Sequence, residues 1–246
     1  STYQGQGPGE ITIIGHVGID ETNRRFFVSD HGKLKIFAYD LDSVLTTPEY
    51  QPSVKIDMKK KLFPDDYLYL NDTLCIAKII EPIGNNDYKP SVARWNMATG
   101  EINPMPYEYP DLKKVRFIYA ASAEHQLYVQ CYTQYDLMTI CDFNGNLKCN
   151  IYGPKWVNEK TQTQHYSLGV EFCGDKILAL YSGGDHRTDA YYPTKFLVFD
   201  LNGNYLKTLE TGYMITDFCY DKENNRLIIN LNDEIQFAYL DLEGII

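Results

Sequence analysis

Apolar and polar residues alternate in short runs along almost the whole chain, and the runs gather in sets of three. The sets are residues 17–20, 25–29 and 34–40; 66–70, 73–79 and 91–96; 117–121, 126–132 and 137–143; 168–172, 176–181 and 194–200; and 215–220, 226–231 and 235–241. Each run has strand length and a β-branched and aromatic composition, and polar turn residues separate the runs. Asn144-Gly145 and Asn202-Gly203 are strong short-hairpin signals because both positions tolerate positive φ. No long stretch carries a helical period.

A second pattern overlies the first. An apolar or aromatic residue, then Asp or Asn, then a turn leading into another strand-like segment recurs at Tyr39-Asp40, Trp95-Asn96, Cys141-Asp142, Phe199-Asp200 and Leu240-Asp241. The acidic or amide positions lie 56, 46, 58 and 41 residues apart, the size of a four-stranded blade with variable loops. These repeats predict an all-β fold, a β-propeller spanning residues 1–246 as one domain, with five blades visible.

Composition agrees and removes some functions. The 21 Tyr and 11 Phe suit half-buried pleated surfaces. The net charge of −10 lacks the basic field that phosphate tracking requires, so no nucleic-acid partner is expected, and Lys59-Lys60-Lys61 reads as solvated loop charge. No apolar run approaches the ~20 residues of a membrane span. Residues 1–10 have neither the basic start nor the apolar centre of a secretory signal. The six cysteines form no C-x-x-C pair, so a zinc ribbon or dithiol redox site has no support. Cys141 and Cys149, flanking a hairpin, form the candidate disulfide of an oxidising compartment, although the simplest register sets Cys141 opposite Lys148.

The segment Phe27-Val-Ser-Asp-His-Gly-Lys-Leu-Lys-Ile-Phe-Ala-Tyr-Asp40 resembles the core of NHL-type blades, and Gly5-Gln-Gly-Pro-Gly-Glu10 resembles the glycine-rich segment that often precedes one. Together they are similar to the TolB-like six-bladed propellers, many of them exported lipoproteins of unsettled function. The sharp likeness covers residues 5–40. It implies six blades, a periplasmic or cell-surface location, and room for a lipid anchor upstream. With five blades visible, the chain reads either as a five-bladed ring or as a six-bladed one with an N-terminal part missing. In both cases residues 11–14 are expected to form an outer strand, because propellers close by lending a strand between termini. The glycines at 5–9 precede a strand pattern rather than a helix, so they read as a turn and not as a phosphate-binding loop.

Candidate chemistry falls on the loops joining second and third strands, which vary freely on a rigid scaffold. The blade-four loop offers Asp185, His186, Arg187 and Asp189 as polar groups, and Tyr191 and Tyr192 as flat faces for sugars or peptides. The blade-two loop offers Asn85, Asn86 and Tyr88. The plainer reading of the blade-four group is an exposed hairpin whose Asp and Arg satisfy each other. No G-x-S-x-G elbow and no H-E-x-x-H motif occurs, so neither catalysis nor a cofactor is indicated. The expected function is a non-catalytic binding or interaction propeller with a protein or glycan partner, and the resemblance implies that it belongs to the cell envelope. The alternative is a metal-dependent hydrolase or lyase with calcium or zinc on the axis, for which His16, Asp66, Glu171 and Asp217 are the candidate ligands.

Overall fold

The computed structural model describes residues 5, 7, 10–84 and 87–246; Asn85 and Asn86 lie outside these, and of Asp189 only the backbone is described. Two compact units are formed, Ser1–Pro106 and Tyr107–Ile246. The first holds two antiparallel sheets. Sheet one runs β1 (Ile14–Asp20), β2 (Arg25–Asp30), β3 (Lys35–Asp40) and β4 (Ser53–Asp57); sheet two runs β5 (Phe63–Asn71), β6 (Leu74–Gly84), β7 (Asp87–Trp95) and β8 (Ile102–Pro104). The second unit holds three. Sheet three is β9 (Phe117–Ser122), β10 (Leu127–Tyr132), β11 (Leu137–Asp142) and β12 (Leu147–Tyr152); sheet four is β13 (Thr163–Cys173), β14 (Lys176–Asp185), β15 (Lys195–Asp200) and β16 (Tyr205–Glu210). Sheet five, among the described residues, is β17 (Ile215–Asp221), β18 (Arg226–Leu231) and β19 (Phe237–Asp241). Strand order follows chain order in every sheet.

The recurring Asp or Asn is the cap of the turn that leaves each third strand. The Asp142 carboxylate accepts the N–H groups of Asn144 (2.8 Å) and Asn146 (2.9 Å) and the Asn146 side chain (2.8 Å). Asp200 does the same with Asn202 and Asn204. Asn96 accepts from Ala98 and Thr99, and Asp241 from Glu243. Asp40 accepts Ser43 N–H and caps the short helix Leu41–Thr46 instead. A short acceptor at this place satisfies N–H groups that the ladder leaves open. The outer strands that follow, β4, β8, β12 and β16, are mostly half-buried or exposed, so they lack the alternation that reveals the inner three.

Neighbouring sheets bury their faces together. In the first unit, Phe27 and Ile36 of sheet one pack with Tyr67, Cys75, Ala77, Ile79 and Trp95 of sheet two. In the second, sheet four serves two cores at once. Ile177, Ala179, Tyr181 and Phe199 join Val129, Met138 and Ile140 of sheet three, while Leu178, Leu180, Phe196 and Val198 join Phe218, Leu227 and Ile229 of sheet five. Alternate residues of one strand thus point into different cores.

One finding corrects the expectation for residues 11–14, and a second decides between the two readings of the cysteines. Residues 11–14 do not form an outer strand. Ile14 opens β1, the first strand of sheet one, and the preceding residues bind the end of β2. There the buried Asp30 carboxylate accepts the N–H groups of Thr12, Ile13, Gly32 and Lys33. Burial pushes the Asp30 carboxyl up, but these four donors outweigh it and hold it below the usual carboxylate range. Ile11 is buried with Val28, Phe37 and Tyr39. A carboxylate that satisfies four amides fixes this segment at its own blade. Second, all six cysteines are free. A bulge between Ile140 and Cys141 sets Cys141 opposite Leu147 and Cys149 opposite Ile140, so no bridge joins them. Burial pushes the Cys141 thiol up to about 11, which keeps it protonated and inert.

Close packing of first strands depends on two glycines. A Cβ at Gly18 on β1 would run into the Tyr67 ring of β5, and one at Gly169 on β13 would stand 2.8 Å from the Phe218 ring of β17. Both rings are buried and have no room to yield. Gly18→Ala and Gly169→Ala are each expected to lower stability by about 1–3 kcal/mol through overpacking. The measurement is the urea midpoint at unchanged slope; an unshifted midpoint would refute the packing argument for that site.

Candidate ligand-binding face

At one end of the second unit, loops and connections are tied to one another by hydrogen bonds. His165 N–H donates to Thr133 O, and the Thr161 hydroxyl to Gln134 O. The Thr211 hydroxyl donates to Thr194 O at 2.7 Å, and Asn232 N–H to Met214 O. With the bond from His186 N–H to Gln162 O, these join the β10–β11 and β14–β15 connections, the links 153–162 and 211–214, and the β18–β19 connection into one braced surface.

The blade-four group sits on this surface, and less of it is loop than the sequence suggested. β14 runs on to Asp185, with Gly184 paired to Gln164 and Asp185 to Thr163. Beyond it, Arg187 N–H donates to the Asp185 carboxylate at 2.9 Å, so the acid caps its own turn. His186 meets Gln162 O both through its N–H and through Nδ1, the latter at 2.9 Å. A single 3₁₀ turn, Asp189–Tyr191, carries the tyrosines, whose rings lie 4.2 Å apart and 30° from parallel. Ser182 Oγ donates to Ala190 O at 2.6 Å and holds that turn to the strand. His186 and Arg187 are exposed and the two tyrosines half-buried. In blade two the long connection is likewise a hairpin extension, with Gly84 paired to Asp87 and Pro82 to Tyr88. Tyr88 belongs to the first unit and the blade-four residues to the second.

Beneath the braced surface lies a polar group that no sequence motif marks. Asp136 and His165 are each 1% exposed, and Tyr181 is buried beside them. The Tyr181 hydroxyl donates to Asp136 Oδ1 at 3.3 Å and lies 3.2 Å from His165 Nδ1; Lys155 N–H donates to Asp136 Oδ2 at 2.9 Å. If the phenol proton goes to the carboxylate, Nδ1 of His165 must carry a proton toward the phenol oxygen, and the unprotonated Nε2 lies 3.4 Å from Thr161 Oγ1, whose one proton is directed at Gln134 O. Burial pulls the His165 imidazole below its ordinary range, against the attraction of Asp136.

The residues proposed as axial ligands divide between the units. His16 Nδ1 lies 3.0 Å from Asp66 Oδ1, and the His16 ring packs on Tyr67. Asp217 accepts the N–H of Phe218 at 2.8 Å, and burial raises its carboxyl despite that bond. Glu171 lies on β13. Among the described residues, no three His, Cys, Asp or Glu side chains lie close enough to hold a metal ion.

A family model described as a 6-bladed beta-propeller, DUF5128, matches residues 2–73. No curated protein matches the chain. Among solved structures, the chain is similar to an extracellular domain from B. thetaiotaomicron described as part of a one-component system, at 10% identity and a TM-score of 0.60. That likeness covers 94% of this chain and 28% of the other, so this chain spans under a third of that protein. A DUF4221 family member from Bacteroides vulgatus is similar at 12% identity and a TM-score of 0.60, over 97% of this chain and 81% of the other. A structure of a nidogen/laminin complex aligns at 11% identity and a TM-score of 0.58, over 94% and 76%. The fold is a β-propeller. Identities this low establish the fold alone, and the five sheets are its blades.

The neutral, buried His165 makes propeller stability depend on pH. Below the ordinary histidine pKa of 6.5, the unfolded chain binds a proton that the folded chain refuses. Stability therefore falls as pH drops through that value and levels off below the folded pKa. His165→Gln is expected to flatten this slope between neutral pH and mild acid in denaturant titrations. An identical slope in both proteins would show that His165 does not control it.

Proposed function

We propose that residues 1–246 act as a single, non-catalytic binding or interaction propeller of the cell envelope, which meets a protein or glycan partner at the blade-four face. The observation that carries this reading is the Tyr191–Tyr192 pair, fixed by a strand extension and a braced turn, with His186 and Arg187 exposed beside it. Flat aromatic faces lose little conformational entropy on binding, and an adjacent guanidinium supplies directed donors. Two comparisons support it. One similar structure is an extracellular domain, and another comes from a complex between proteins. Among the described residues no helix is long and apolar enough to cross a membrane, in keeping with a domain displayed outside the bilayer. Tyr88 of blade two is a separate candidate contact on the first unit, and no cofactor is required.

Replacing Arg187, Tyr191 and Tyr192 together by Ala tests the assignment. Capture on glycan arrays and from envelope extracts is expected to weaken at least about tenfold, the loss of one or two interface anchors, while the unfolding midpoint stays near wild type. Undiminished capture by the triple variant would remove the blade-four face from the proposal.

A further inference from the structure

Blades three and four part beside the buried polar group and leave a cavity of about 340 Å³, within the range of small-molecule sites. Its walls include Tyr152, Tyr166, Tyr181, Phe199 and Tyr205, and the Asp136 carboxylate lies at its lining. The five rings come from β12 to β16, so the site exists only where two sheets meet. Gly153 also lines it, and a Cβ there would collide with the Asp136 carboxylate; the missing side chain is what lets the acid sit at this wall.

The cavity has a charge that its own walls do not balance. No lysine, arginine or histidine is among its lining residues. Among the described residues, the only basic side chain at ion-pair distance from Asp136 is His165, 3.7 Å away, and burial disfavours its charged form. Lys195 passes 5.8 Å from the centre of the Tyr181 ring, but its ammonium pairs with Glu210 at 3.6 Å. Asp136 receives one backbone N–H and one phenol hydroxyl, which leaves lone pairs for a further donor. A buried carboxylate without a cation is costly, and aromatic faces attract cations. An anionic occupant would meet the carboxylate as a like charge, and a neutral apolar one would leave it as it is.

We propose that this inter-blade cavity binds a small organic amine in its cationic form, the ammonium at the Asp136 carboxylate and an apolar or aromatic body among the tyrosines. The site is separate from the blade-four face, and neither assignment depends on the other.

The test is a charge series on one skeleton, titrated calorimetrically into the whole chain at neutral pH: cationic tyramine, neutral 4-ethylphenol and anionic 4-hydroxyphenylacetate. Tyramine is expected to bind at least about tenfold tighter than 4-ethylphenol, the usual gain of a hydrogen bond to a charged group, and the acid to bind weakest. Asp136→Asn should bring tyramine close to 4-ethylphenol. Leu197→Trp, which fills the cavity from β15, should abolish both, and it keeps the test open if the Asp136 variant fails to fold. Equal binding across the series, no tyramine binding, or tyramine binding unaffected by Leu197→Trp would each overturn the proposal.

Discussion

The structure depends on sheets that bury their faces against neighbouring sheets, and sheet four buries both of its faces. A strand in the middle of such a sheet cannot keep one polar side, and β14 shows the result: Ile177, Ala179 and Tyr181 enter the core shared with blade three, while Leu178 and Leu180 enter the one shared with blade five. The backbone satisfies itself within each sheet, so the remaining difficulty is at strand ends. The acid or amide that closes each third strand meets it by accepting one or two turn N–H groups. The same constraint explains Asp30, which is buried and yet anchors the approach to the first strand through two amides and its own turn through two more.

Both proposed sites lie where that regular packing is interrupted. In blade four, β13 and β14 are longer than their counterparts in blade three and pair irregularly in register. Its extension raises the tyrosine pair and the exposed His186 and Arg187 on a stiff stalk instead of a free loop. A stiff platform costs a partner less ordering on binding than a mobile loop would. Beside the core that blade four shares with blade three, a cavity remains, lined by Tyr166, Tyr181 and Phe199 of that core together with Tyr152 and Tyr205. Asp136, His165 and Tyr181 lie between these two places and tie the braced surface to the cavity wall.

Legibility in the sequence followed burial. The first three strands of each blade alternate clearly because their neighbours bury them, and the Asp or Asn caps repeat because each turn needs the same acceptor. The outer strands, such as Tyr205–Glu210, stayed hidden because mostly exposed residues carry no period. The blade-two and blade-four connections read as loops because Gly84, Gly183 and Gly184 look like breakers, although the pairing runs through or up to them. His165 had no motif around it, and its partners Asp136 and Tyr181 lie 29 and 16 residues away in the chain.

The order of residues was enough to determine the β-propeller class, the position of most strands and the turn caps, since these follow from periodicity and from acceptors placed next to the amides they serve. Only tertiary structure decided that residues 11–14 belong to the first blade, that Cys141 and Cys149 stay apart, and that five aromatic rings and an acid line one cavity. Each of those outcomes turns on contacts between strands distant in the chain or on a single bulge in register, and a one-residue shift in pairing changes which side chains face one another.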